Sequence, residues 1–264
     1  MQEKLHVLKK NIDDVPSAAI AFSGGVDSTL LAAVAQKTIP GRVLLVTASA
    51  SFFPRLEFEE TTKLAQFLKI PQKIIKIDEN KTGIFTRNSS DRCYWCKRAF
   101  FEQIKSSAQQ SGYEAVMDGS NCDDLRDYRP GLQALKELGI RSPLREAGFT
   151  KKEIRTLSRK LQLPTADKPS MACLVSRFPY GEKITHGKMK RVEISEEGIR
   201  QLGISQLRVR SHGDMARIEV DSVDMDVVFR KRDKIVRVCK EAGFVYVSLD
   251  LEGYRSGAMN ELSQ

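Results

Sequence analysis

Residues 23–28, Ser23-Gly24-Gly25-Val26-Asp27-Ser28, set two glycines, two hydroxyls and a carboxylate within six positions. Glycines let the backbone approach a phosphate closely, successive N–H groups can point at one anion, and a helix starting there adds its positive end. Ser23 and Ser28 can donate hydrogen bonds to the same oxygens. The spacing is neither the G-x-x-x-x-G-K-[ST] loop nor G-x-G-x-x-G. It reads as an anion site of another kind, with a bare strand-to-helix turn as the plain alternative.

The second constellation is made of thiols. Cys93 and Cys96 stand in "SDRCYWCKRAF" and Cys173 in "DKPSMACLVSRFPYG". A C-x-x-C pair can share one metal or act as a redox dithiol. A thioredoxin-like role would want the pair at a helix start after the first strand, which is not its place here. Structural zinc needs four protein ligands, and no second C-x-x-C or C-x-x-H exists in a chain with only three histidines. Three cysteines around an exposed site match a 4Fe-4S cluster with one iron free of protein ligands, able to carry sulfide to an activated substrate. An incidental pair plus an unrelated buried cysteine is the bland alternative. Cys122 and Cys239 read as ordinary thiols.

The chain has 264 residues, 41% of them hydrophobic, enough for one large domain or two modest ones. No leader-like apolar run opens it, and no stretch approaches the roughly 20 apolar residues of a membrane span. Five cysteines, an odd number in a chain too long to need staples, suit a reducing cytoplasm. A net charge of +9 calls for an anionic partner, either a nucleotide-like small molecule or nucleic acid, although a solvated basic surface explains it equally well.

The elements that must hold these groups follow from pattern. "SAAIAF", "RVLLVTAS", "KIIKI" and "YEAVMDG" are strand-like, and helical stretches "STLLAAVAQK", "PRLEFEETTKLAQFLKI" and "KRAFFEQIKSSAQQ" separate them. "GFTKKEIRTLSRKLQL" opens on Thr150 with Glu153 three residues later, a capping box. The alternation predicts an α/β fold with a doubly wound parallel sheet. Ligands of such sheets bind beyond the carboxyl ends of the strands, where "SGGVDS", "TASAS" and "DGSNCDD" fall. After about residue 170 the order becomes α-β-β-α-β, with "VDMDVVFRKRDKIVRVCKEAG" read as one long helix. A first domain over 1–170 and a smaller α+β domain over 171–264 are expected.

The hexapeptide resembles the S-G-G-x-D-S signature of the PP-loop ATP pyrophosphatases. That resemblance implies ATP bound by its β,γ-pyrophosphate, attack of a substrate oxygen on the α-phosphate, and displacement of AMP by a nitrogen or sulfur nucleophile. Asp27 would help hold Mg2+, and Ala21, Phe22, Thr47, Ser49 and Gly119 would join Ser23, Gly24, Gly25 and Ser28 around the nucleotide. The fold implied is an adenine nucleotide alpha hydrolase-like sheet. With "DGSNCDDLRDYRPG", "SPL", "PSMACLVSRFPYGEKI" and "GYRSGAMNE", the likeness narrows to the LarE family over nearly the whole chain. LarE proteins are ATP-dependent sulfur transferases that act on pyridinium-3,5-biscarboxylic acid mononucleotide in nickel-pincer nucleotide biosynthesis, adenylating each carboxylate and turning it into a thiocarboxylate. In some members the cysteine matching Cys173 gives up its own sulfur. In others, three cysteines matching Cys93, Cys96 and Cys173 hold a 4Fe-4S cluster that relays sulfide. The C-x-x-C favours the cluster route. The resemblance also implies a sulfide or persulfide donor and a homo-oligomer built through the second domain.

The rest of the pocket is drawn from residue types. Arg208 and Arg210 alternate on "LRVRSH" and face one side of a strand, suiting a phosphate or a dicarboxylate. Glu196, Glu219 and Asp221 could help bind a divalent ion. Arg177 could meet the adenylate phosphate, and Arg255 could reach the same cleft. Asp123 and Asp124 could line the nucleotide site, and Tyr94 and Trp95 could cover a pyridinium ring. Two other readings remain: a cluster-dependent tRNA thiolation enzyme, and a nucleotide-binding module that senses redox state through its cysteines. The tRNA enzymes usually carry RNA-binding segments or zinc motifs that this sequence lacks.

Overall fold

The first sheet is built on short apolar runs buried on both faces, edged by one strand that is only half-buried. In a computed structural model describing residues 1–53, 55–82, 88–125, 131–169 and 173–255, the strands are β1 Ala18–Ala21, β2 Val43–Ser49, β3 Gln72–Lys76 and β4 Ala115–Met117. They pair in parallel in the order β3-β2-β1-β4. Ala18, Ile20, Val43 and Leu45 enter one apolar cluster, and the alternate residues Ala19, Leu44 and Val46 enter another. Helices α1 (Gln2–Asp13), α2 (Val26–Thr38) and α3 (Arg55–Leu68) close the first cluster with Leu8, Ile12, Leu30, Leu31 and Leu64. Helices α4 (Arg92–Gln110) and α5 (Gly131–Glu137) close the second with Phe101, Ile104 and Leu135. The sheet is therefore covered on both sides, the doubly wound arrangement that the alternation predicts.

Helix α4 begins at Arg92, not at Lys97 as the apolar pattern suggested, so both cysteines of the C-x-x-C lie on its first turns. After the short α6 (Pro143–Glu146), α7 (Lys151–Lys160) carries the expected capping box. The Thr150 N–H donates to the Glu153 carboxylate at 2.9 Å, and the Glu153 N–H donates back to Thr150 Oγ1 at 3.4 Å.

The chain makes two compact units, Met1–Gly83 with Asp91–Met171, and Ile84–Ser90 with Ala172–Gln264. The second holds α8 (His186–Gln201), β5 (Leu207–His212), β6 (Met215–Val220), α9 (Met225–Arg230), α10 (Arg232–Glu241) and β7 (Tyr246–Leu249). β5 and β6 form the expected antiparallel hairpin, and β7 joins β6 in parallel. Gly198 lets α8 approach α10, since a Cβ there would stand 2.6 Å from Val238 Cγ1. The single long helix expected over this stretch is broken in two at Lys231, which sits at φ −99°, ψ 10°. Lys231 turns its ammonium onto the Leu202 carbonyl at 2.5 Å, at the end of α8, where a cation is favoured.

Pro54, expected to open α3, lies outside the described residues, as do residues 126–130, 170–172 and 256–261 of the segments that carry the family resemblance. Among the described residues no helix is long and apolar enough to cross a membrane.

Candidate functional site

The glycine loop leaves β1 at its carboxyl end and becomes α2 without a side chain capping it; Gly25 is the N-cap. Four amide groups at such an end lack helical partners, which makes it a receiver for anions. Gly24 sits at φ +70°, where side chains are strained, and a Cβ there would stand 3.1 Å from Thr61 Cγ2 and 3.2 Å from Leu64 Cδ1. Ser23 Oγ lies 3.3 Å from Ser28 Oγ and accepts from the Gly25 N–H, while Ser28 Oγ donates to the Gly25 carbonyl. The hydroxyls and amides singled out from the sequence are thus gathered in one turn. Gly119, beyond the end of β4, comes so close that a Cβ would stand 3.0 Å from the Ser28 nitrogen and 3.2 Å from Asp27 Cβ.

Several neighbours have other work. Thr47 is buried, donating to the Phe22 carbonyl at 3.0 Å and accepting from Gln72 at 2.8 Å, so its hydroxyl ties strand ends together. Ala21 ends β1 and Ser49 ends β2; the Ser49 carbonyl accepts from Ile77 N–H. Asp123 receives the Lys151 N–H at 2.7 Å and Asp124 receives the Asn121 N–H at 2.9 Å, so both carboxylates build the loop after β4. Asp27 pairs with the ammonium of Lys151 and accepts from Asn121 Nδ2 at 3.3 Å. Neither Lys151 nor Asn121 was singled out from sequence, because their contacts with Asp27 span 124 and 94 positions.

At the start of α4, Cys93 is exposed and Cys96 half-buried. Tyr94 and Trp95 meet edge to face, with ring centroids 5.0 Å apart. Tyr94 donates to Glu137 at 2.6 Å and receives Arg98 at 3.0 Å; the Trp95 indole donates to Asp91 at 2.7 Å. Trp95 nonetheless keeps 40% of its surface exposed, whereas the Tyr94 hydroxyl is committed to its own helix and α5.

In the second unit Cys173 is half-buried at the head of a short 3-10 turn, Leu174–Arg177. Its carbonyl accepts from Arg177 Nη1 at 3.1 Å and from Ser176 Oγ at 2.8 Å. Arg177 is itself fully buried and forks onto Glu196 at 2.8 and 2.9 Å. Arg177, expected to meet the adenylate phosphate, is turned here onto Glu196 and onto the backbone of Cys173. Glu196 also receives Arg200 at 2.8 Å and the Val209 N–H at 3.0 Å. Burial alone would push its carboxyl up, but Arg177, joined by Arg200 and the Val209 amide, holds it below the usual range. Glu219, fully buried, is gripped by Arg210 at 2.9 and 2.7 Å and by Arg217 at 3.0 Å. Both glutamates thus answer guanidiniums, an arrangement that argues against the divalent-ion role expected of them. Asp221 stands just before a 3-10 turn that begins at Ser222, and its side chain makes no capping bond there.

Arg208 and Arg210 do share a face, and that face is not solvated, since both are buried. Arg210 also donates to the Ser176 carbonyl at 2.9 Å, tying the Cys173 turn to β5. Arg208 lies 5.0 Å from the Tyr254 ring centroid, and burial, with the charge of Arg177 nearby, pulls its pKa down. A guanidinium so desolvated gains from a bound anion. Arg255 pairs with Glu252. Cys122 reaches the Arg145 carbonyl at 3.6 Å, and burial pushes the Cys239 thiol up to about 11. Among the described residues no group of three or more His, Cys, Asp or Glu is gathered to hold a metal ion.

The sequence comparisons fit this geometry. The family described as NAD synthase matches residues 1–101, the part that contains the glycine loop. An uncharacterized protein of Synechocystis sp. is 43% identical over 99% of this chain and 98% of its own. An uncharacterized protein of Methanocaldococcus jannaschii is 31% identical over 96% of this chain and 98% of its own. The pyridinium-3,5-bisthiocarboxylic acid mononucleotide synthase of Lactiplantibacillus plantarum is 37% identical over 95% of this chain and 91% of its own. PP-loop enzymes bind ATP with Mg2+, and the uncapped glycine turn supplies the matching anion receiver. With that likeness running almost end to end, the chain belongs to the LarE family of the PP-loop ATP pyrophosphatases.

Proposed function

We propose that this enzyme is an ATP-dependent sulfur transferase that adenylates the carboxylates of pyridinium-3,5-biscarboxylic acid mononucleotide and converts them to thiocarboxylates. The observation that carries the reading is the setting of Cys173: half-buried, its carbonyl clamped by Arg177 and Ser176, in the unit that also buries Arg208 and Arg210. A carboxylate is a poor electrophile, and adenylation gives it a good leaving group. The glycine loop takes the β,γ-pyrophosphate of ATP, Asp27 offers a carboxylate to Mg2+, and a substrate oxygen attacks the α-phosphorus as pyrophosphate leaves. Arg208 holds the substrate's phosphate or its free carboxylate, while Arg210, engaged by Glu219 and the Ser176 carbonyl, positions the Cys173 turn beside it. A sulfur nucleophile then attacks the acyl carbon, the acyl C–O bond breaks, and AMP departs with the electron pair.

Two sources of sulfur fit the cysteines. Thiolates are the ligand type of a 4Fe-4S cluster, and Cys93 and Cys96, three apart on the first turns of α4, share a helical face. Together with Cys173 they would hold a cluster that supplies sulfide at an open iron. In the second route the Cys173 thiolate attacks the adenylate and AMP leaves; a base then takes the Cys173 Cα proton, the Cβ–Sγ bond breaks with its electron pair on the thiocarboxylate, and dehydroalanine remains. The C-x-x-C favours the first. We place ATP binding in residues 1–170, and substrate binding and homo-oligomer contacts in residues 171–264. An external sulfide or persulfide donor restores the sulfur. The RNA reading is weaker, because part of the positive charge that suggested it, at Arg177, Arg208 and Arg210, is buried.

Iron and acid-labile sulfide after anaerobic purification decide the route. About four of each per chain in wild type, lost in Cys93→Ala, support the cluster. Absence of iron after reconstitution, with a mass loss at Cys173 on turnover, supports the sacrificial route. Neither iron nor a changed Cys173 contradicts the proposal.

A further inference from the structure

Asp118, the residue after β4, buries its carboxylate between two hydroxyls. Ser142 Oγ donates to one oxygen at 2.6 Å, and Ser120 Oγ donates to the other. Burying a carboxylate costs free energy that two hydroxyls offset only in part, so plain packing would favour an apolar residue here. Ser142 departs from its local role as well. It is the N-cap of α6, where a serine hydroxyl ordinarily receives an amide of the first turn. It makes no such cap, and its hydroxyl is turned onto Asp118 instead. The Asp118 N–H donates to the Arg141 carbonyl at 2.9 Å, so backbone and side chain both tie this turn to residues 141 and 142.

What this tie holds in place is the wall beside Asp27. Gly119, the next residue, stands where a Cβ would lie 3.2 Å from Asp27 Cβ. Two positions further, Asn121 is buried and fixed through its Oδ1, which accepts from the Asp123 N–H at 3.0 Å. Its Nδ2 is thereby aimed at Asp27 Oδ1, 3.3 Å away. Among the described residues the Asp118 carboxylate bonds only Ser120 and Ser142, so any effect on Asp27 passes through the turn. We infer that Asp118 is a positioning residue that sets, through Gly119 and Asn121, the orientation in which Asp27 meets the Mg2+ of bound ATP. The inference rests on the reading that Asp27 offers its carboxylate to that ion. Groups that orient a metal's ligands control its affinity without touching the metal. The buried carboxylate and the diverted cap of α6 are the cost of holding that orientation.

The test is calorimetric titration of the full chain with α,β-methylene-ATP, which cannot release pyrophosphate, with and without Mg2+. In wild type Mg2+ tightens binding, and Asp27→Asn removes that gain. Asp118→Asn keeps the size of the side chain but turns an acceptor into a donor facing a hydroxyl. Its Mg2+-dependent gain falls about tenfold or more, while affinity without Mg2+ stays within about threefold of wild type. Asn121→Ala shows the same signature, and the Asp118→Asn/Asn121→Ala double variant loses no more than about twofold beyond the worse single one, as residues acting in series should. Melting curves monitor folding; if Asp118→Asn does not fold, Ser142→Ala, which leaves the carboxylate and removes one of its donors, carries the comparison. Equal weakening with and without Mg2+ marks a merely structural residue, and a full Mg2+ gain in Asp118→Asn marks an idle one; either result overturns the inference. A wild type in which Mg2+ adds nothing, or an Asp27→Asn variant that keeps the gain, overturns the Asp27 reading as well.

Discussion

Replacing Glu196 with alanine removes the acceptor on which the Cys173 turn depends. Arg177 and Glu196 are 0% and 1% exposed, and the pair is joined by two hydrogen bonds of 2.8 and 2.9 Å. The variant leaves the buried Arg177 guanidinium without its counter-charge and also strips an acceptor from Arg200 and from the Val209 N–H. Breaking a buried pair by deleting one partner costs about 3–5 kcal/mol. At about 2–4 °C per kcal/mol for a chain of this order of size, melting falls by roughly 6–20 °C. Scanning calorimetry is the assay, because it would reveal separate transitions of the two units. In Arg177→Met/Glu196→Leu the buried charges go together, and stability returns to within about 2 kcal/mol of wild type. Sulfur transfer stays impaired, because the Cys173 carbonyl loses its Arg177 donor and keeps only Ser176. The pair also has a pH signature. The Glu196 carboxyl is held below its ordinary value, so its contribution is complete above the usual carboxylate range and fades as pH falls through the lowered value. Wild type should therefore lose stability more steeply in acid than the double variant. A shift under about 1 kcal/mol in Glu196→Ala, or full sulfur transfer by a folded double variant, would refute the reasoning.

Three further outcomes follow from local geometry. Gly119→Ala puts a methyl group 3.0 Å from the Ser28 nitrogen, so ATP affinity should fall at least about tenfold while the fold loses only about 1–3 kcal/mol; equilibrium dialysis and melting curves separate the two. Under native conditions at mild alkaline pH, iodoacetamide should modify the exposed Cys93 first and Cys239, buried and pushed up to about 11, only on unfolding, as peptide mass mapping would read. The Lys4 ammonium and the Thr150 N–H hold the Glu153 carboxyl at about 2, so the contribution of its capping box should persist to well below pH 4.5 and vanish toward pH 2; Glu153→Gln should flatten that acid limb.

What could be read ahead of the structure was local. The glycine turn, the capping box at Thr150 and the strand runs of the first sheet each declare themselves within a few residues, and each stands where its chemistry needs it. The start of α4 was hidden because Cys93, Tyr94 and Trp95 are indifferent helix formers; contacts of Tyr94 with Glu137 and of Trp95 with Asp91 help to fix those turns. The break at Lys231 depends on a carbonyl at the end of another helix. The arginines show the same limit. Alternation put Arg208 and Arg210 on one face, but only packing shows that the face is buried and that Glu219, on the neighbouring strand, answers Arg210. Arg177 looked like a ligand-seeking residue for want of a visible partner, and Glu196 supplies one from α8. Lys151 went unnoticed although it follows the cap residue that defined its helix, since nothing near it in the chain points to Asp27.

The most direct test of the account is the stoichiometry of ATP cleavage with pyridinium-3,5-biscarboxylic acid mononucleotide as substrate. Purified protein with Mg2+, ATP and a sulfide source should release pyrophosphate and AMP in equal amounts, only when the nucleotide is present, and mass spectrometry of the nucleotide should show oxygen replaced by sulfur. Release of ADP and phosphate, or pyrophosphate release that ignores the nucleotide, would contradict it.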